Sequence, residues 1–328
     1  MNSSTPIGGY FEWEFPLQKE FTLHKGAVFL NSGRHALEYI LRGLKNVSRV
    51  FVPYYTCDAV IFPLDSLHIP YTFYHINECF EIADEIELNE DEYIIYTNYF
   101  GIKDTYIKKI VDEYADKVIV DNAQALYCPA YACHQIYSPR KYMGMPDGGL
   151  AVTTFDDYYN ELPQGLAFDR CNHLLKRIEL MPFEGYNDFK KVSLQITSSP
   201  LSKMSEISRK ILCSVDFDTI KKRRFKNFKH LHEALVSTNG LGDLLTRSIA
   251  DSCSCPMAYP YWTNDSDLKS RLIKEQIFVA TYWPNVLNWT KPDMIEYEFT
   301  KNLLAIPCDQ RYDEEDMNRI IQLICKYQ

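Results

Sequence analysis

The chain of 328 residues lacks a surplus of positive charge: 35 Lys and Arg stand against 44 Asp and Glu, a net of -9. A general nucleic-acid binder carries a basic surplus, so no nucleic-acid partner is expected. Any anionic ligand has to be held by local groups. No apolar run reaches the length of a membrane span, so no membrane partner is expected either. Residues Met1 to Tyr10 are polar and are not built like a signal peptide. The ten cysteines are scattered; only Cys253 and Cys255 are close, and no second pair completes a zinc site. Such thiols fit a reducing compartment, and a cytoplasmic location is the expectation. Internal repeats and low-complexity linkers are missing too. What is there is 46% hydrophobic and 24% charged, the balance of a globular protein. The length allows one large domain and a smaller one. With 24 Tyr and 18 Phe, an aromatic-rich core or cleft is expected.

Residues 1–21 read as an extended arm carrying Tyr10, Phe11, Trp13 and Phe15. Ala27–Leu30 is a short apolar strand, and Ser32-Gly33-Arg34 leads from it into a helix starting at His35. A strand, a Ser-Gly turn and a helix start present free backbone N–H groups to an anion. The same residues cap a helix without any ligand. Strands then alternate with helices: Val50–Pro53, Tyr71–Ile76, Tyr93–Tyr96 and Val118–Val120, with helices over Ala59–Leu67 and Tyr106–Tyr114. That alternation predicts an α/β fold with a mostly parallel sheet covered on both faces. Ligands in such folds lie beyond the carboxyl ends of the strands, where Ser32, Tyr55, Asn98 and Asp121 all fall.

Tyr137 to Val152 sets Lys141 on a turn, three residues after Ser138 and ahead of Gly148-Gly149. Lysine forms a stable imine with an aldehyde, and glycines leave room for a flat ligand. A solvated surface lysine is the plain alternative. Gly149–Thr154 is a strand, and 156–216 is helical and irregular apart from a helix to about Val215. A long helix, Asp218–Leu235, carries Lys221-Lys222-Arg223-Arg224, read as a solvated face, with Arg224 and Asn227 on one side. A smaller α/β unit follows, with strands at Ala258–Thr263, Ile277–Ala280 and Asn302–Pro307 and a last helix over Glu314–Tyr327. The expected organisation is an arm at 1–21, a large domain at 22–215 and a small domain at 216–328 that begins with the long connecting helix.

Four stretches in order carry a resemblance: Ser32-Gly33-x-x-Ala36-Leu37, Val120-Asp121-Asn122-Ala123-Gln124-Ala125, the Lys141 turn with Gly148-Gly149, and Leu304-Ala305-Ile306-Pro307. The chain resembles the DegT/DnrJ/StrS-type sugar aminotransferases, which use pyridoxal 5'-phosphate. The resemblance implies a three-layer fold with a mostly parallel central sheet plus a smaller C-terminal α/β domain. It implies that Asp121 pairs with the cofactor's ring nitrogen, which keeps the ring an electron sink. Lys141 carries the cofactor and moves protons. Gln124 lies near the ring or its hydroxyl, Tyr55 covers a ring face, and Ser32, Gly33, Arg34 and Ser138 hold the phosphate. Arg311, Arg224 and Tyr282 are the candidates for substrate contact.

The departures are specific. The family's phosphate-binding serine stands five residues before the lysine, where this chain has Ile136, so the role passes to Ser138. Gly185-Tyr186-Asn187 spells half of the stretch that reaches a neighbouring subunit, and Leu201 stands where its asparagine belongs. Ser202 or Lys203 then makes that contact. The resemblance implies a homodimer with a shared site, an amino-acid donor such as glutamate and a keto sugar nucleotide as acceptor, for amino-sugar and surface polysaccharide synthesis. A cofactor-binding protein without activity and an enzyme for a non-nucleotide ketone are the alternatives. A dehydratase of the same fold carries histidine in place of Lys141.

Overall fold

The computed structural model describes residues 10–16, 20–155, 158–251 and 255–327. The expected arm therefore falls largely outside the described residues, as does Cys253. Of the arm, Tyr10, Phe11 and Trp13 are exposed, with Trp13 stacked on Phe15.

Seven strands form the central sheet: β1 (Val28–Leu30), β2 (Arg49–Pro53), β3 (Tyr71–Tyr74), β4 (Glu92–Thr97), β5 (Val118–Asn122), β6 (His134–Tyr137) and β7 (Gly149–Val152). Their order is β1-β7-β6-β5-β4-β2-β3. The pairs β2–β3, β2–β4, β4–β5 and β5–β6 are parallel. β7 runs antiparallel to both β6 and β1, so it alone is reversed. Six strands thus end at one edge, and β7 begins there. β5 is buried at every position, as a strand covered on both faces must be.

Helices α1 (Gly33–Gly43), α2 (Asp58–Ser66) and α3 (Asp104–Tyr114) connect the strands. A helical hairpin, α4 (Asn172–Glu179) and α5 (Pro182–Ser198), is followed by α6 (Glu206–Ser214) and the long α7 (Phe217–Leu235). The remainder holds α8 (Gly242–Ala250), β8 (Tyr259–Trp262), α9 (Leu268–Lys274), α10 (Val286–Trp289), α11 (Ile295–Asn302), β9 (Leu303–Ile306) and α12 (Glu314–Tyr327). β8 and β9 pair antiparallel as a second, two-stranded sheet. One buried cluster runs from Tyr55, Tyr96 and Val120 to Phe228, Phe299 and Ile324, across the expected boundary at 215. Among the described residues, no helix is long and apolar enough to cross a membrane.

Two expectations are corrected, and one strand is added. Ile277–Ala280 is not a strand; only Ala280 bridges, to Ala305, because Gln276 turns the chain at φ 60 and Phe278 is exposed. His134–Tyr137 is a fully buried strand that the sequence reading passed over. Lys221, Lys222 and Arg223 are exposed, but Arg224 turns inward with Asn227 and is 2% exposed.

Two glycines let β7 approach α1. Gly148 has φ +135, which side chains rarely adopt, and a Cβ on Gly149 would lie 2.1 Å from the Ser32 carbonyl group. The room at Gly149 is taken by the backbone of Ser32 and Gly33, and that at Gly148 by the side chains of Met145 and Met204.

Candidate active site

A cavity of about 200 Å³ opens at the edge where the strands end. Asp121 reaches it from the end of β5 and Lys141 from the turn after β6. Ser32, Gly33 and Arg34 reach it from the start of α1, and Ser138 and Arg140 from the same turn as the lysine. Cys57, Ala59 and Val60 line it at the start of α2, and Ser193, Ile196 and Thr197 from α5. The parallel order explains the convergence: β1, β2, β5 and β6 all deliver their following residues to one side.

Asp121 is 6% exposed, and its carboxylate accepts the Ala123 N–H at 2.8 Å. Burial pushes its carboxyl up, while the Lys141 charge and the Ala123 N–H pull it down. Lys141 itself is exposed. Burial pushes the Cys57 thiol up to about 11, against the Lys141 charge. Burial pushes the Arg140 guanidinium down, with Asp147 opposing.

The side chain of Ser32 is committed within the chain. His35 Nε2 lies 2.9 Å from the Ser199 carbonyl, an acceptor only, so Nε2 carries the proton and Nδ1 accepts. The Ser32 hydroxyl donates to that Nδ1 at 2.7 Å and accepts the His35 backbone N–H at 3.2 Å. Burial pushes His35 down, which keeps the imidazole neutral. Ser32 therefore offers the cavity no hydroxyl proton. Gly33 lies against Ser138: a Cβ on it would sit 3.4 Å from the Ser138 Cβ.

Arg34 differs from every other cation at the site. Its Nε and Nη1 are buried and bond to no group among the described residues. Its guanidinium lies 4.9 Å from the centre of the Phe62 ring. Glu38, one turn on, is taken by Arg42 at 2.9 and 2.7 Å. Two buried guanidinium nitrogens without an acceptor, beside a ring that offers none, point to an anion.

Several expected residues lie off the cavity wall. Tyr55 is 1% exposed and packs in the aromatic core, 4.8 Å from Trp283 and 5.7 Å from Tyr99 between ring centres. Cys57 and Ala59 line the wall in its place. Gln124 is fully buried behind the wall: Oε1 accepts the Phe100 N–H at 2.8 Å and Nε2 has no partner among the described residues. Arg224 donates to Gln310 Oε1, the Met257 carbonyl and the Tyr142 carbonyl, and it stacks on Tyr142 at 4.5 Å. It fixes the residue after Lys141. Arg311 is held by both Asp309 oxygens at 2.8 Å. Tyr282 packs on Phe100 and Trp283, and burial pushes its hydroxyl up to about 12.

The Ser202 amide donates to Asn31 Oδ1, and Lys203 Nζ to the Asn160 carbonyl, so both serve their own chain. Arg140, Cys57 and the α5 residues are wall positions the sequence reading missed. Only Arg140, beside Lys141, carried a signal in sequence.

The residues present fit a phosphorylated ring with a basic nitrogen and an aldehyde. An unpaired guanidinium and a helix start suit the phosphate, a buried carboxylate suits the nitrogen, and an amine suits the aldehyde.

No described protein family and no curated protein matches the chain. Solved structures do match in fold. A DegT DnrJ EryC1 StrS aminotransferase from Brucella abortus is 16% identical, over 92% of this chain and 85% of that one, with a TM-score of 0.60. DesI, determined in the presence of its TDP-sugar product, is 16% identical over 92% and 80%, with a TM-score of 0.63. The putative sugar aminotransferase Spr1654 from Streptococcus pneumoniae, in its PLP form, is 17% identical over 92% and 86%, with a TM-score of 0.58. The chain has the fold of these aminotransferases, a mostly parallel seven-stranded sheet between helical layers.

Proposed function

We propose that the chain is a pyridoxal 5'-phosphate-dependent aminotransferase. It moves an amino group from an amino acid, with glutamate the expected donor, to a keto sugar carried on a nucleotide. The observation that carries this reading is the meeting of Asp121 and Lys141 in one cavity at the carboxyl edge of the sheet. The nucleotide-linked sugar is supported by the TDP-sugar product of DesI, a neighbour in fold.

When bound, the cofactor supplies an aldehyde carbon that takes up an amine and a cationic ring that draws electrons from it. Asp121, already held away from water, keeps the proton on the ring nitrogen. With the cofactor bound, Lys141 would take the proton from the Cα of the donor amino acid and, in the reverse direction, deliver a proton to the keto carbon of the acceptor. Arg34, the α1 start and Ser138 would hold the phosphate, and Cys57 and Ala59 would form the wall beside the ring. Arg224 positions Tyr142, and through it the turn that bears Lys141.

A second copy of the chain completes the assembly in this reading. Its support is the outer face of the α4–α5 hairpin, where Ile178, Met181, Phe183, Tyr186, Phe189 and Leu194 are exposed. Clusters of exposed large apolar side chains mark interaction surfaces.

The test is spectroscopic and then chemical. Titration with pyridoxal 5'-phosphate is expected to give an absorbance band near the visible edge that Lys141→Ala abolishes. Glutamate is then expected to bleach the band with release of its keto acid. A band that no amino acid bleaches would leave a cofactor-binding protein without activity. A chain that gives no band at all would end the reading.

A further inference from the structure

Within the cavity just described, and resting on that reading, we infer that α5 supplies an own-chain wall for a phosphoryl group: the hydroxyls of Ser193 and Thr197, facing the unpaired guanidinium of Arg34. The three residues line one cavity. Ser193 and Thr197 are four apart on α5, which places them one above the other on one helix face. Ile196 shares the wall and is buried, whereas Leu194 points outward and is 71% exposed. The inner face of α5 therefore belongs to the cavity.

The chemistry selects the ligand class. Arg34 has two buried nitrogens without an acceptor, and its nearest carboxylate along α1, Glu38, is engaged by Arg42. The overall charge of -9 repels anions at long range, so an anion enters here only through local pairing. Backbone N–H groups at the start of the 11-residue α1 add donors on the same side as Arg34. Thr197 now gives its proton to the Ser193 carbonyl at 3.0 Å. A hydroxyl rotates to exchange such a bond for a stronger, charge-assisted one without moving the helix. Ser32, whose proton is held by His35, cannot contribute in this way. A phosphate monoester, with three acceptor oxygens, matches a guanidinium, two hydroxyls and a helix start.

That phosphoryl group comes either from the cofactor or from the diphosphate of the substrate, and ligand titration distinguishes the two. Calorimetry of the full chain with inorganic phosphate, pyridoxal 5'-phosphate, pyridoxal and a nucleoside diphosphate is compared with Arg34→Gln, Ser193→Ala and Thr197→Val. The chain is expected to prefer pyridoxal 5'-phosphate to pyridoxal. That preference falls at least tenfold in Arg34→Gln and about threefold in each hydroxyl variant if the cofactor's phosphate sits there. A fall confined to the nucleoside diphosphate assigns the wall to the substrate. Unchanged affinities for every phosphorylated ligand in all three variants overturn the inference. Phosphate binding that weakens in the variants, in a chain that never forms a cofactor band, keeps the anion wall and removes the aminotransferase reading. Arg34→Lys, which keeps the charge but loses the fork, carries the same test if Arg34→Gln does not fold; its preference is expected to fall several-fold, and an unchanged preference counts against the wall.

Discussion

The Lys141 charge reaches the buried carboxyl of Asp121 across a shared cavity, although the two residues leave different strands. Burial raises the carboxyl and the lysine lowers it, and burial is the larger effect. A carboxyl raised on folding adds stability at low pH and loses it as pH rises from 3.8 through the folded value. At neutral pH, then, Asp121 costs the ligand-free chain stability. Asp121→Asn keeps an oxygen for the Ala123 N–H and removes the buried charge. We expect the cofactor-free variant to melt roughly 2 °C higher, while transamination falls at least a hundredfold. Calorimetric melting without cofactor, paired with a glutamate half-reaction, reads both; a lower melting point would show that the carboxylate is not strained.

Tyr55 and Cys57 separate packing from ring contact. Tyr55 lies in the aromatic core beside Trp283 and Tyr99, so Tyr55→Leu is expected to cost about 1–3 kcal/mol of stability and leave cofactor affinity unchanged. Cys57→Leu puts bulk on the cavity wall and is expected to weaken cofactor binding at least fivefold with little change in melting. Denaturant unfolding and cofactor titration of both variants decide it. The reverse pattern would return the ring-covering role to Tyr55.

The sheet was legible because its strands are apolar runs that end on polar residues. Val118-Ile119-Val120 closing on Asp121 announces both a buried strand and the carboxylate beyond it. β6 was not legible: His134 and Gln135 are polar yet buried, kept there by Thr153, Asn122 and Ala132. Its four residues carry no periodicity that separates strand from loop. Tyr55 lies in the core and off the cavity wall because the chain bends after Pro53, where the Thr56 N–H closes on the Tyr54 carbonyl. Past that bend the alternation of a strand no longer says which side chain faces the ligand. The α5 wall joins residues more than 150 positions from α1, and only tertiary packing brings them together.

The hairpin makes a separate prediction about assembly. Ile178 is 74% exposed and Phe183 63%, near the tip where α4 passes into α5. The exposed apolar side chains of the two helices are of the kind a partner covers in a stable interface. Ile178→Glu with Phe183→Glu is expected to convert a dimer into a monomer in sedimentation at micromolar concentration. The fold should be unaffected, because both side chains face water in the single chain. A parent chain that is monomeric at that concentration would reject the second copy as occupant of this face.

His24 makes the fold sensitive to acid. Its ring stacks on Tyr137 with centres 3.7 Å apart, and its Nε2 lies 2.6 Å from the Leu126 carbonyl. Burial lowers its pKa from 6.5 to about 4, against that hydrogen bond. The unfolded chain therefore binds a proton below pH 6.5 that the folded chain refuses until about pH 4. The resulting stability is complete above that window and is lost as pH falls through it, by about 3 kcal/mol in all. His35, His134, His173 and His232 are also lowered by burial and act in the same direction. His24→Gln retains a donor for the Leu126 carbonyl but has no proton to take up. Its stability is expected to be lower at pH 7.5, where the Tyr137 stack is weakened, and to fall less between pH 6.5 and 4 than that of the parent. Urea unfolding at several pH values measures the two slopes. Equal slopes would mean that His24 is protonated in the folded chain and that its burial is relieved by a rearrangement.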